Sequence, residues 1–314
     1  DAASHGWAVH TVCGGASTVP GIDVSKWQGT VNWSQVKSAG IKFAIARVSD
    51  GTTYIDGQFK ANWSGMQKVG LIRGAYQYFR PTVDPIAQAN LFVDKINAAG
   101  GLKSDDMPGV LDIETTGGAS ASKVLKAVDA WVARVEQRTN RRPIIYTGSY
   151  FWDGNVFSKK YASYPLWTAH YTSKKCPLVP DPWKKWTIWQ YTSSAKVSGV
   201  SGNVDANRFN GTLSELKAFI ANSVIKPPPK PDAGVPDSKP PPEPDQGGPA
   251  ADGGVGPDTG TGADLGTPRI DQGLPPGTDA WSCPNCPACN CEEPRCLSGG
   301  CAVSIGQAAR PAGG

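Results

Sequence analysis

Eight short runs rich in β-branched and aromatic residues recur through the first 210 residues, and segments with helical periodicity lie between the earlier ones. The runs are GIDVSKW (21–27), KFAIARVS (42–49), LIRGAYQYF (71–79), PGVLDIET (108–115), PIIYTGS (143–149), PLWTAHY (165–171), WTIWQYT (186–192) and NVDANRF (203–209). Gly, Pro or Asn bounds most of them, as strand ends require. The first intervening segment sets Val36 and Ala39 on one helical face and stops at Gly40. In the second, Phe59, Trp63, Met66 and Val69 recur at spacings of three and four. Asp84 and Pro85 read as the cap and first position of a third helix that ends at Gly100 and Gly101. Val124, Val128, Trp131 and Val135 make the stripe of a fourth. Strand alternating with helix implies a parallel sheet. Eight strands imply closure into a single TIM-like α/β barrel, irregular in its second half, where little helix separates the strands. In such barrels the site gathers at the C-terminal strand ends.

One core of this kind takes roughly 200 residues, and the apolar pattern stops near residue 222 of 314. The predicted organisation is a polar leader over 1–19, the barrel over 20–222, a Pro/Gly/Asp-rich linker over 223–281 and a Cys-rich tail over 282–314. The linker runs KPPPKPDAG and onward from Lys226. It buries too little apolar surface to offset its ordering entropy and reads as an extended, disordered spacer. Asp1 reads as the start of a processed chain.

Charge divides at the same place. Lys and Arg outnumber Asp and Glu by 25 to 16 over residues 1–224, and are outnumbered by 11 to 6 beyond. A cationic domain is drawn to polyanions, bacterial wall polymers among them. No basic run of five occurs, which argues against nucleic acid. No run of 18 apolar residues occurs, so no membrane span is expected.

The chemistry centres on VLDIET. Residues two apart in a strand share a face, so Asp112 and Glu114 project together near the strand's C-terminal end. Their repulsion and partial burial raise one pKa and make a general acid, unless Arg47 or Arg73 neutralises the pair. Asp23 in GIDVSKWQ and Asp205 in GNVDANRF are placed to reach the same mouth. Clustered carboxylates are what glycoside hydrolysis uses: an acid protonates the leaving oxygen while a second carboxylate acts at the anomeric centre. Eleven Trp, with Tyr and Phe at strand ends, suit sugar faces as well as core. Other chemistries lack their motifs: there is no HExxH, GxSxG, GxGxxG or Walker pattern, and Cys176 near His170 is a weak Cys–His arrangement. No metal and no cofactor is implied.

In this order, GIDVSKWQG, FAIARVSDGTTYIDGQF, GLIRGAYQYFRP, VLDIET, RPIIYTGS, LWTAHY and WTIWQYTSSAKVSGVSGNVDANRFNG resemble glycoside hydrolase family 25, the Chalaropsis-type lysozymes, over roughly residues 20 to 220. The resemblance implies a flattened, irregular β/α barrel. It also implies an N-acetylmuramidase that cuts the β-1,4 bond between N-acetylmuramic acid and N-acetylglucosamine in bacterial peptidoglycan. By motif, Glu114 matches the family's general acid, and Asp112, Asp23 and Asp205 its other acidic residues. Asp112 would act either as nucleophile or by orienting the substrate's 2-acetamido group. Tyr78, Tyr146, Trp167, Tyr171 and Gln190 fall where the family lines its sugar groove. Lys26-Trp27 departs from many members and marks a groove edge that differs. A non-catalytic wall-glycan-binding module and a chitin-type hydrolase are the alternative readings.

Cys13 and Cys176 are the two cysteines of the globular part and are candidates for a disulfide tying leader to barrel. Cys283, Cys286, Cys289, Cys291, Cys296 and Cys301 are read as a disulfide knot, a zinc cluster, or disordered or intermolecular thiols, export favouring disulfides. A secreted monomer is expected, with the tail available to hold it at a surface.

Overall fold

The computed structural model describes residues 9–156 and 158–225. The start of the leader, nearly all of the predicted linker and the whole Cys-rich tail lie outside them. The chain runs through β1 (His10–Thr11), β2 (Thr18–Val24), a 3₁₀ turn (Lys26–Gln28), α1 (Trp33–Ser38), β3 (Phe43–Asp50), β4 (Tyr54–Ile55), α2 (Phe59–Lys68), β5 (Ile72–Tyr78) and α3 (Pro85–Ala98). It continues through β6 (Val110–Asp112), α4 (Ala121–Thr139), β7 (Ile144–Gly148), α5 (Phe151–Asn155), β8 (Leu166–Ala169), β9 (Leu178–Val179), β10 (Ile188–Ala195), β11 (Val204–Asn210) and α6 (Leu213–Asn222).

Eight strands close a ring in the order β2, β3, β5, β6, β7, β8, β10, β11, with β11 pairing back onto β2. They are the eight runs read from the sequence. From β2 to β10 every neighbouring pair is parallel. β11 is antiparallel to both its neighbours, β10 and β2. This corrects the all-parallel expectation: β10 and β11 are joined only by residues 196–203, too short a link for the crossover that a parallel pair needs. The four predicted helices are α1 to α4. Asp84 caps α3 by accepting from the Ile86 and Ala87 amides. Gly40, Gly100 and Gly101 take the positive φ that ends α1 and α3. The short α5 and the terminal α6 are additional.

Alternation along the strands makes two cores. Outward residues such as Ile22, Val24, Ala44, Ala46, Leu111, Ile113 and Ile145 pack beneath the helices with Trp63, Phe92 and Trp131. Inward residues form the second core: Val19, Phe43, Ile45, Val110, Ile144, Ile188 and Phe209, with Leu216 and Ile220 of α6 packed against them. These inward residues lie toward the N-terminal ends of the parallel strands, so α6 closes the barrel floor. Gly21 stays small because a Cβ there would stand 2.3 Å from the Phe43 ring. Beyond α6, Val224 bridges to Arg141, just before β7, so the chain is still at the floor there. Toward the other end the inward residues become polar, and that gradient places the site.

At the edge, β1 pairs with β9. A Cys13–Cys176 disulfide closes the same junction across 163 residues of sequence. The bonded pair is the one anticipated, and it removes Cys176 from any Cys–His chemistry. The loop it holds, between β8 and β9, carries Tyr171.

Candidate active site

Each strand brings its inward residues to the mouth by the same alternation. β2 delivers Asp23, β5 Tyr76 and Tyr78, β6 Asp112 with Glu114 two residues on, β7 Tyr146, β8 Trp167, and β10 Gln190. β11 runs the other way, so its first residues lie at the mouth: Asp205 stands opposite Asp23 and Asn207 opposite Gly21 in the antiparallel register. Asp112 is in register with Tyr78 on one side and Tyr146 on the other. The four sequence-predicted acids therefore meet at one end of the barrel, although they come from three distant stretches of chain.

Two side-chain amides converge on Asp23. Gln190 Nε2 donates to Asp23 Oδ1 at 2.9 Å and Asn207 Nδ2 donates to the same oxygen at 2.7 Å. Their orientation is fixed from behind. The Tyr146 and Tyr171 hydroxyls both donate to Gln190 Oε1, at 2.9 and 2.7 Å. The Trp167 indole N–H donates to Asn207 Oδ1 at 2.8 Å. With each amide oxygen already accepting from a donor, only the NH₂ groups can face Asp23. Tyr146, Trp167 and Gln190 are buried in this array, Trp167 edge-on to Tyr146 and Tyr76. Tyr171 also opens to solvent, and Tyr78 is half-buried under the Arg80 guanidinium, 4.4 Å from its ring centre.

Burial raises all four carboxyls, but unequally. Asp23 is pushed to about 6 by burial, held back by the hydrogen bonds from Asn207, Gln190 and Asp205. Asp205 is pushed to about 9 by burial and by the Asp23 charge, and so keeps its proton as a donor to Asp23. Burial takes Glu114 to about 8 against the pull of Arg80, with Asp23 and Asp50 adding repulsion. Asp112 is raised by burial and by the charges of Glu114 and Asp23, opposed by Arg47. At neutral pH the site thus holds a protonated Glu114 near an ionised, amide-bound Asp23, the division of labour that acid catalysis needs. Asp112 Oδ1 is buried without a hydrogen-bond partner. The tyrosines are held neutral by burial and by the surrounding carboxylates.

Neither arginine considered as a neutralising partner pairs with Asp112 or Glu114. Arg47 binds Asp56 at 2.9 Å and reaches Asp112 only through its field. Arg73 points outward to Asp106 at 2.7 Å and stacks on Trp63 beneath α2. The cation that acts on Glu114 is Arg80, which makes two hydrogen bonds to Asp50, at 2.6 and 2.7 Å. Sequence reasoning missed Arg80 and Asn207. The signal for Asn207 was present, since it sits two residues after Asp205 and so on the same strand face. Among the described residues no group of His, Cys, Asp or Glu is arranged to hold a metal ion.

Residues 22–200 match the family model described as glycosyl hydrolases family 25. Lysozyme M1 of Streptomyces globisporus is 40% identical over 218 residues, covering 66% of this chain and 73% of that protein. The N,O-diacetylmuramidase of Chalaropsis sp is 32% identical over 218 residues, covering 64% of this chain and 98% of that one. The crystal structure of the bacterial lysozyme from Streptomyces coelicolor aligns with a TM-score of 0.60 at 38% identity, covering 67% of this chain and all of that one.

Proposed function

This chain belongs to glycosyl hydrolases family 25, and from that premise we propose that it is a lysozyme-type muramidase, cutting the β-1,4 bond between N-acetylmuramic acid and N-acetylglucosamine in bacterial peptidoglycan. The observation that carries the reading is the protonated Glu114 near the ionised Asp23 at the barrel mouth. Glu114 gives its proton to the glycosidic oxygen as the C1–O bond breaks. The unpartnered Asp112 Oδ1 supports a role as acceptor for the 2-acetamido N–H, so that the amide oxygen closes on C1 and stabilises the developing charge. Direct attack by Asp112 on C1 is the other route through the same residues. Glu114, now ionised, then takes a proton from the water whose oxygen bonds to C1 as the bond from C1 to the acetamido oxygen, or to Asp112, breaks, and the acid is restored. Asp23, with Asp205 as its neutral partner, supplies negative charge near the cationic transition state. Tyr78 and Tyr171 face the sugar, while Tyr146, Trp167 and Gln190 act from behind by fixing the amide array.

The Cys13–Cys176 disulfide favours work in an oxidising compartment outside the cell, and no helix among the described residues is long and apolar enough to cross a membrane. The test is digestion of purified peptidoglycan by the full chain, with mass analysis of the released ends. New reducing ends on muramic acid, reduced ~10²–10⁴-fold by Glu114→Gln, are expected. Reducing ends on glucosamine would overturn the bond assignment. Binding without release would favour the wall-glycan-binding alternative.

A further inference from the structure

Among the described residues, the exposed large aromatics are Trp27, Tyr150 and Tyr171. All three follow the C-terminal end of a parallel barrel strand, β2, β7 and β8 in turn. They therefore stand round the mouth; of the exposed aliphatic side chains, Ile55 lies on β4 beside the end of β3, whereas Leu213 and Val224 lie at the start of α6 and just past its end. Tyr171 belongs to the array around Asp23. Trp27 and Tyr150 do not: each has about two-thirds of its surface exposed, 64% and 65%. β2 and β7 are four strands apart in a ring of eight, so the two rings stand across the mouth from one another with the acids between them.

Trp27 is held firmly for so exposed a residue. It lies in the 3₁₀ turn closed by a capping box between Ser25 and Gln28. The Lys26 N–H donates to Asp56 Oδ2 at 2.9 Å, and the Gln28 side chain donates to the Asn203 carbonyl at 3.3 Å. The Lys26 ammonium lies between two rings, 4.7 Å from the centre of Trp27 and 4.6 Å from that of Tyr54. It makes none of the ion pairs found among the described residues. The result is an indole with an open face beside an unpaired, pre-positioned cation, three residues past Asp23.

We propose that Lys26, Trp27 and Tyr54 form a subsite outside the reaction centre for an acidic N-acetylhexosamine, with the sugar face on the Trp27 indole and a carboxylate of its lactyl-peptide substituent on the Lys26 ammonium. The assignment rests on the muramidase reading, because muramic acid is the wall sugar that carries such a carboxylate. A neutral glycan satisfies the indole but not the ammonium. A free acidic peptide satisfies the ammonium but not the indole. Holding Lys26 between two rings lowers the ordering cost of the contact. A glycan strand bound there runs across the acids toward Tyr150, so productive binding spans more than the disaccharide that is cut.

The test is calorimetric binding without turnover, using the full chain carrying Glu114→Gln. The ligands are a peptide-bearing peptidoglycan hexasaccharide, the same fragment with its carboxylates amidated, and an N-acetylglucosamine hexamer. In that background Trp27→Ala is expected to weaken all three about tenfold. Lys26→Gln is expected to weaken only the acidic fragment, about three- to fivefold, and to flatten its salt dependence. Because both side chains are exposed, an unchanged melting temperature shows that the fold is kept. Lys26→Gln binding all three ligands as its parent does, or weakening the neutral hexamer equally, overturns the subsite, and so does full affinity in Trp27→Ala. The muramidase reading fails separately, through reducing ends on the wrong sugar or none, which the binding arms do not measure.

Discussion

Replacing Asn207 by Ala tests whether the amide array sets which carboxyl is ionised. The Asn207 amide donates to Asp23 at 2.7 Å inside the barrel and stabilises its ionised form, so its removal moves the Asp23 pKa upward. A hydrogen bond to a charged group contributes about 1.5–3 kcal/mol. At 1.36 kcal/mol per unit, that raises Asp23 from about 6 by roughly one to two units. Catalysis that needs ionised Asp23 and protonated Glu114 has an acid limb set by the first and an alkaline limb set by the second, near 8. The variant should therefore show an acid limb shifted up by roughly one to two units and an alkaline limb in place. At pH 6, where wild-type Asp23 is half ionised, the loss should be about 5- to 50-fold, growing to about 10- to 100-fold at lower pH and shrinking toward pH 8. The Trp167 N–H is also left unpaired, which costs about 1–3 kcal/mol of stability, so folding must be checked at each pH. The assay is kcat/KM for clearing a wall suspension between pH 4 and 9. A uniform drop with the acid limb unmoved would refute the reasoning and leave Asn207 as a packing residue.

Two further outcomes follow from the same geometry. Glu114 binds its proton more tightly in the folded chain, about 8, than an unfolded carboxyl does, so wild-type stability falls as pH rises from about 4.3 toward 8. Glu114→Gln escapes that loss: calorimetry should show equal melting temperatures at pH 4 and a variant several degrees more stable at pH 7.5, and a pH-independent difference would count against a raised pKa. In Gly21→Ala the backbone preference favours Ala by roughly 0.5–1 kcal/mol. The new methyl, however, meets the Phe43 ring at 2.3 Å, and overpacking costs about 1–3 kcal/mol. The net expectation is a lower urea midpoint, and an unchanged or higher one would show that the barrel interior yields at that point.

The barrel was legible because its strands are short, β-branched and punctuated, and because α1 to α4 carry clean apolar stripes with caps such as Asp84. The direction of β11 was not legible from those patterns, since a two-residue period reads the same in both directions; only the short link after β10 bears on it. α6 was overlooked although Thr212 and Glu215 form a capping box, because no strand follows to make a repeat of it. The four acids were legible as charges that a strand interior does not hold without use or partners. Asn207 is neutral, and what makes it matter is the Trp167 N–H forty residues away, which fixes its orientation. Arg80 lies past the end of β5, where strand alternation no longer says which way a side chain turns. The Arg47 and Arg73 alternatives failed for an analogous reason: each has a nearer carboxylate, Asp56 or Asp106, that sequence spacing did not reveal.

Because β11 runs against the other seven strands, the chain enters and leaves the ring at the same end. Thr18, where β2 begins, stands opposite Asn210, where β11 ends, and the last described residues are still beside Arg141 at the floor. A wholly parallel ring would deliver its final strand to the mouth and would need a return helix to bring the chain back. Here the returning strand does that work and carries Asp205 and Asn207 to the site on its way. Mechanically, the described chain ends at the base: the bridge of Val224 to Arg141, then α6 and the zipper of β11 on β2, lie between its last residues and the acids at the opposite rim.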